Sequence, residues 1–475
     1  MPAPYRHTKI IVTLGPATES EEKLRSLITS GVDVVRLNMA HANEEWTRTI
    51  VERIRNISAE VSRQVAIMMD VKGPEIRTAF LEEGINLNVG DHIDFVTTGC
   101  EDPEVPGIPR VGVNYPGLPA DVEVDNTVLV DSGLIQLKVL EKTDTRIRSE
   151  VLIPGHLGSR RHINLPGVKV NLPSLTEKDR NDVALGTALG VDFFALSFAR
   201  EAGDIRALRS MLKLSNSQAR IIAKIEDQSA LQNLNDIVRE SDGIMVARGD
   251  LGIEIEYHQL PIVQQTIVNT CMAEGKPVII ATHLLESMIA SPIPTRAEIS
   301  DVATAVKELA DCVMLSGETT TGQYPEASVD VLQHIIASIE ADSPADAPLN
   351  ETIRLKTAKA KMLRAAAVLA LDLGGAGIVV FTRSGFLPFV LAALRPRGVP
   401  IYAFTDQEEV FRHLLILWGV EPFLMNFSED HETTIKDAFA YLLRRQWCHH
   451  DDNLVVITNA LAHDHVIDTI QLRQP

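Results

Sequence analysis

The sequence predicts a (β/α)8 TIM barrel interrupted by an inserted small β-barrel and followed by a C-terminal α/β domain, and three observations carry that prediction. First, eight short runs are near-continuously apolar, as parallel strands buried on both faces are: residues 8–14, 32–37, 65–69, 191–196, 220–223, 243–246, 277–281 and 312–315. Second, residues 21–29, 44–62, 202–213, 229–240, 261–273, 296–309 and 326–339 repeat apolar positions at spacings of three and four, the helical period. Third, the strand–helix rhythm breaks once, between Met69 and Val191, where the texture becomes β-rich.

Within that break, residues 74–164 are rich in Val, Ile, Thr and Gly, with short alternating runs at 127–131 and 134–140. Glu83-Gly84 and Ser132-Gly133 mark turns. An insert after the third strand lies at the end of the barrel where active sites form, so it reads as a lid that excludes water. The barrel is expected over 1–73 and 165–340, the insert over 74–164. Residues 341–348, rich in Ala, Asp and Pro, read as a linker. Beyond them, apolar runs at 377–382, 399–404, 421–425 and 453–458 alternate with helical segments, predicting an open α/β sheet over 350–475. No GxGxxG fingerprint follows a strand there, which argues against a dinucleotide site.

A net charge of −19 argues against nucleic acid or an anionic membrane as partner, because phosphate backbones need a basic face. The four cysteines form no CxxC pair, so reduced thiols are expected rather than disulfides or structural zinc. Residues 1–7 have no apolar signal-peptide core, and the apolar stretch 365–381 is interrupted by Asp372 and glycines. A cytoplasmic protein without membrane spans is expected.

The chemistry is carried by what stands at the ends of the apolar runs: Gly15-Pro16, Asn38, Asp70-Val71-Lys72, Ser197, Lys224-Ile225-Glu226, Arg248-Gly249-Asp250, Thr282 and Ser316-Gly317-Glu318. Glu226 and Asp250 are carboxylates on adjacent strands, suited to Mg²⁺ or Mn²⁺ with substrate oxygens completing the shell. Lys224 lies two residues before Glu226 and shares its strand face, where its charge can neutralise a phosphoryl group. Arg36, Asn38 and Asp70 form a second cluster, and Arg77 follows where the chain leaves the barrel. Each residue has a plainer alternative: Lys224–Glu226 as a structural ion pair, Asp250 as a helix cap, Asn38 and Thr282 as turn residues. Convergence of six polar strand ends on one barrel face favours a site.

These residues resemble the pyruvate kinase family. The resemblance runs through residues 8–17, Val35-Arg36-Leu37-Asn38, Asp70-Val71-Lys72-Gly73-Pro74-Glu75-Ile76-Arg77-Thr78, Asn164-Leu165-Pro166-Gly167 and Lys224-Ile225-Glu226. It continues through residues 244–252, Pro294-Thr295-Arg296-Ala297-Glu298 and Met314-Leu315-Ser316-Gly317-Glu318-Thr319. It implies transfer of the phosphoryl group of phosphoenolpyruvate to ADP, giving pyruvate and ATP in glycolysis, by a homotetramer. It implies Glu226 and Asp250 as Mg²⁺ ligands, Lys224 and Arg36 on the phosphoryl group, and backbone N–H groups around Gly249 and Asp250 on the substrate carboxylate. Thr282 helps protonate the enolate, with Ser316 and Glu318 connected to that relay, and Arg77, Arg161 and His41 meet the nucleotide. Two other readings stand beside it: a metal-dependent keto-acid lyase or aldolase on the same barrel, and a regulatory protein with an inactive site.

The match departs from the family in places. K⁺-dependent members hold the ion with Asn, Ser, Asp and a backbone carbonyl; here Asn38, Asp70 and the Val71 carbonyl match, but Ala40 replaces the serine. Glu75 is the residue type associated with K⁺ dependence, so K⁺ activation is expected. Arg160-Arg161-His162 replaces a Lys-Lys-Gly run, and His283 replaces a glutamine. In the C-terminal domain, Phe386-Leu387 follows the polar loop Thr382-Arg383-Ser384-Gly385, and residues 459–465 stand where a Gly-rich loop is expected. Phosphate-holding nests favour glycine, which argues against allosteric activation by fructose 1,6-bisphosphate. The His463/His465 pair has no spaced partner ligands and reads as solvated loop.

Overall fold

The computed structural model describes residues 5–342, 348–462 and 465–475. Eight parallel strands close into a barrel: β1 (Lys9–Thr13), β2 (Val34–Asn38), β3 (Ala66–Val71), β4 (Phe193–Leu196), β5 (Arg220–Ile225), β6 (Gly243–Ala247), β7 (Val278–Ala281) and β8 (Cys312–Leu315). Each is the strand expected from an apolar run, and β1 pairs with both β2 and β8, closing the ring.

The surrounding helices start where capping chemistry allows. Ser20 accepts from Lys23 N to open Glu21–Ser30, Asn43 accepts from Trp46 N to open Glu44–Glu60, and Thr295 with Glu298 boxes the start of Arg296–Lys307. The helix expected over 229–240 is split at Asn233 into Gln228–Gln232 and Leu234–Glu240. One full helix, Glu177–Ala188, had no clear periodic signal: it turns Asp179 and Asp182 inward, and both carboxylates are satisfied there, so its buried face is no apolar stripe.

Between β3 and β4 the insert is a β domain, as expected, with one short helix, Leu118–Asp121. Its hydrogen bonding makes a six-stranded sheet and a separate two-stranded one, Ile85–Leu87 with Gly155–Leu157, around one core that includes Phe95, Val128, Leu137 and Ile147. The C-terminal sheet is open, ordered Val420–Leu424, Ile401–Thr405, Gly377–Phe381, Leu454–Ala462, His465–Arg473, with the last strand antiparallel. The stretch 459–465, read from sequence as loop, is instead largely strand, because the chain folds back as a long hairpin; His463 and Asp464 lie outside the described residues, as do Ser343–Ala347 of the expected linker.

The C-terminal domain seals the barrel's N-terminal end. Buried Arg395 pairs with Asp311, Arg412 with Asp192 at 2.6 Å, and Ile416 and Leu417 join the core formed by Ile11, Met68, Phe193 and Met314. One end of the barrel is thus plugged, and the other is left to the insert and the site.

Candidate active site

Strand register brings the polar ends together. Asn38 lies beside Asp70, Asp70 beside Ala195, and Lys224 beside Met245. Arg36, Asn38, His41, Asp70, Val71, Lys224, Glu226 and Asp250 share a cleft of about 500 Å³ with Glu75, Arg77 and Arg160 from the insert side.

Asp70 is its electrostatic centre. Arg36 Nε donates to Asp70 Oδ2 at 2.7 Å, and Lys224 Nζ donates to Oδ1 at 3.2 Å. Burial works to raise the Asp70 carboxyl, but Lys224 and Arg36 outweigh it and hold it below the ordinary value. Lys224 also pairs with Glu226 Oε1 at 2.9 Å and donates to Ser197 Oγ at 2.8 Å. Burial would lower the lysine; Asp70 and Glu226 overcome it, so the ammonium is held charged. Glu226, 1% exposed, accepts from Phe198 N at 2.7 Å. Its carboxyl is pushed up by burial against the pull of Lys224, with the Asp250 carboxylate adding to the rise. Two carboxylates so crowded are relieved by a cation, and this hard-oxygen pair fits Mg²⁺ or Mn²⁺.

Next to the cleft, bonded to Gly249 beside Asp250, stands a strained turn. Thr282 and His283 both have left-handed φ, +68° and +55°, a costly conformation for a β-branched threonine. Arg248, 6% exposed, holds the turn: Nη2 donates to Thr282 O at 2.7 Å and to His283 O at 3.2 Å, and Nη1 donates to Asp301 at 2.7 Å. The Thr282 hydroxyl accepts from Gly249 N at 2.8 Å and donates to Ala281 O at 2.6 Å. The Gly249 N–H is therefore engaged with Thr282, leaving Asp250 N–H in the open first turn of the helix Arg248–Glu254. The N-cap position is Ala247, which has no capping side chain, and Asp250 lies within the first turn, so Asp250 is not the cap. Glu318 accepts from Leu285 N and Ser316 N at 3.0 and 2.7 Å, bracing the loops after β7 and β8, while the Ser316 hydroxyl is buried without a partner.

Five expected residues, Gly249, Thr282, Ser316, Glu318 and Arg161, do not line that cleft; the first four lie behind Asp250 and in the loops after β7 and β8, and Arg161 is engaged elsewhere. Arg161 Nη1 pairs with Asp131 at 3.2 Å inside the insert, and Arg160 lines the cleft with Arg77 instead. Arg160 has a φ of +55°, and this left-handed residue breaks the side-chain alternation that a strand would give. Three contributors were given no role from sequence: Ser197 and Arg248, named only as strand ends, and Thr13, whose hydroxyl accepts from Arg36 Nη1 at 3.0 Å. Thr13 lies in the apolar run of β1, where nothing distinguishes it as a site residue.

In the C-terminal domain, a second cavity of about 510 Å³ is lined by Thr382, Arg383, Phe427, Ser428 and His431. Its Arg383 is already paired with Asp406 at 2.8 Å and lies 5.4 Å from the Phe427 ring centre. Among the described residues no helix is long and apolar enough to cross a membrane.

The comparisons agree along the chain. Residues 5–329 match the model of the pyruvate kinase barrel domain, and residues 360–471 that of the pyruvate kinase alpha/beta domain. The pyruvate kinase of Geobacillus stearothermophilus is 42% identical over 422 residues, covering 87% of this chain and 71% of the relative. Plastidial pyruvate kinase 2 of Arabidopsis thaliana is 38% identical over 459 residues, covering 96% of this chain and 78% of the relative. A crystal structure of a pyruvate kinase from Cryptosporidium parvum superposes with a TM-score of 0.92 at 34% identity, covering 99% of this chain and 96% of that one. A barrel whose mouth gathers Arg36 and Lys224 with Asp70, Glu226 and Asp250, matched at both domains and over nearly its whole length, sets aside the lyase and inactive-protein readings: the chain belongs to the pyruvate kinase family, and it is a phosphotransferase.

Proposed function

We propose that phosphoenolpyruvate and ADP exchange a phosphoryl group in the cleft around Lys224, and the convergence of Arg36 and Lys224 on Asp70, facing Glu226 and Asp250, carries this reading. Phosphoryl transfer asks chiefly for positioning and charge neutralisation. Arg36 and Lys224 supply the charge from two sides. The three N–H donors of Lys224 already serve Asp70, Ser197 and Glu226, so an incoming phosphoryl oxygen competes with Glu226 for the third. Glu226 and Asp250 hold Mg²⁺ or Mn²⁺, which when bound neutralises substrate oxygens. Asp250 N–H and the Thr282 turn receive the substrate carboxylate, and the Thr282 hydroxyl stands at the enolate end, where a proton is delivered to make pyruvate. Glu318 and Ser316 act as positioning residues for that turn. Arg77, Arg160 and His41 meet the nucleotide phosphates under the insert, which serves as the lid.

The K⁺ site is read in the same cleft. Asn38 Oδ1, the Asp70 carboxylate and Val71 O supply oxygen donors that fit a monovalent cation, with water in the place that Ala40 leaves without a hydroxyl. We further assign 1–73 and 165–340 to the barrel, 74–164 to the lid and 350–475 to the C-terminal domain, in a cytoplasmic homotetramer. Kinship to bacterial pyruvate kinases supports the compartment, and light scattering tests the tetramer. The function is tested by pyruvate formation from phosphoenolpyruvate and ADP with Mg²⁺, with and without K⁺. Activity rising with K⁺ is expected; no turnover in either condition overturns the reading.

A further inference from the structure

Glu254 ends the helix whose first turn carries Gly249 and Asp250, yet it does none of the work assigned above. It is 7% exposed and makes no ion pair among the described residues. Its Oε1 accepts a hydrogen bond from Asn164 Nδ2 at 2.9 Å, and its backbone O accepts from Gln228 Nε2 at 2.5 Å. Asn164 stands on the insert side, in Ile163–Asn164, the strand that returns the insert to the barrel and, with the outgoing segment around Ile76, makes the hinge between the two. The outgoing and returning segments are tied together, because Ile163 N donates to Ile76 O at 2.8 Å. A hold on Asn164 is therefore a hold on the insert. Asn164 Oδ1 is buried and has no partner among the described residues, a costly condition for an amide oxygen. Both side chains line a small cavity of about 60 Å³.

We propose that Glu254 and Asn164 are the latch of the lid, made when Glu254 is neutral: its O–H donates to Asn164 Oδ1 while Asn164 Nδ2 donates to Glu254 Oε1, and ionisation of Glu254 loosens the hold. An acid and an amide paired in this way satisfy both partners, including the orphaned Oδ1. The surroundings favour the neutral acid. Burial pushes the Glu254 carboxyl up to about 7; the Asn164 hydrogen bond opposes it, and Asp227 and Asp250 add to the rise. The other charged or titratable groups of the cavity do not reverse this. Arg200 is spent on Val170 O and Leu172 O, at 3.0 and 2.5 Å, and burial lowers the His162 pKa, which works against a positive charge there. Glu254 and Asn164 are thus positioning residues, acting on the reaction through the lid and through the helix that presents Asp250.

The sign follows from the two states. With the latch open and Glu254 in water, the carboxyl returns to its ordinary value near 4.5; closed, it is held near 7. Closure is strongest below the open-state value, weakens as pH rises from there to about 7, and is flat above. The inference rests on the insert being the lid of a phosphoryl-transfer site, so the primary readout does not need turnover. Hydrogen exchange of peptides covering 73–79 and 160–168, corrected for the intrinsic rate, is measured from pH 5 to 8.5, with peptides of β2 as the folded reference. Hinge protection should fall about tenfold between pH 5.5 and 7 and then level. Glu254→Gln, whose amide can donate to Oδ1 and accept from Nδ2, should stay protected throughout; Glu254→Ala and Asn164→Ala should be unprotected throughout. In steady state, KM for ADP should follow the exchange while kcat moves little. A Gln variant that keeps the wild-type pH dependence, or both Ala variants protected like wild type, overturns the latch. Absence of turnover with the exchange pattern intact would instead count against the assigned reaction.

Discussion

The Ser197 hydroxyl lies 2.8 Å from Lys224 Nζ and donates onward to the carbonyl of Val71 at 2.7 Å. Among the described residues it is the only uncharged partner of an ammonium otherwise held by Asp70 and Glu226, and it ties β5 to the end of β3 across β4. Ser197→Ala should leave Lys224 charged but free to swing toward either carboxylate. We expect kcat to fall about tenfold, with KM for phosphoenolpyruvate within about twofold, since one hydrogen bond to a charged group is lost. Steady-state kinetics decide it, and an unchanged kcat would remove Ser197 from the site.

Lys224→Met separates the two halves of the reaction. Without the ammonium, phosphoryl transfer should lose on the order of 3–4 kcal/mol of transition-state stabilisation, several hundredfold in rate. The Thr282 turn is held by Arg248 and does not touch Lys224, so proton exchange at the methyl of pyruvate should survive in part. Proton NMR in deuterated buffer follows that exchange, and equal loss of both activities refutes the division of labour.

How much of this was legible in the sequence follows from the strength of each signal. Barrel strands are apolar on both faces, so β1–β8 could be read directly, and whatever polar residue ended a run, such as Asn38, Lys224 or Thr282, stood out. Glu177–Ala188 hid because Asp179 and Asp182 sit on its buried face. The exchange of Arg161 for Arg160 in the cleft depends on a single left-handed residue, which no periodicity reports. Arg248 was visible as a strand end, but its hold on Thr282 and His283 exists only once β6 and β7 are side by side.

Ala40 offers a gain-of-function test of the K⁺ site. Its N–H donates to Asn38 Oδ1 at 3.1 Å, which places residue 40 beside one of the proposed ligands. Ala40→Ser should lower the K⁺ concentration for half-maximal activity roughly fivefold, the effect of one added oxygen contact worth about 1 kcal/mol. Titration of activity with KCl at constant ionic strength measures it. Wild-type activity indifferent to K⁺, with Ala40→Ser equally indifferent, would remove the site.

His413 makes the seal between the C-terminal domain and the barrel acid-sensitive. Its ring stands edge-on to Phe193 of β4 at 5.6 Å, next to the Arg412–Asp192 pair at 2.6 Å. Burial, reinforced by Arg220 and only partly opposed by Asp192, drives its pKa down from 6.5 to about 4. The unfolded chain therefore takes up a proton at a pH where the folded one does not. The stabilisation is complete above 6.5 and is lost as pH falls through 4, on the order of 3 kcal/mol over that window. Urea unfolding at pH 7.5, 5.5 and 4.5 reads it, provided the wild type is compared with His413→Asn at each pH, because carboxylates such as Asp70 titrate at the acid end as well. The wild type should lose more stability than the variant between pH 7.5 and 4.5, since only the wild type must leave a proton behind to fold. Parallel losses in the two proteins would mean that the ring is protonated in place, beside Arg412 and Arg220, at no cost to the seal.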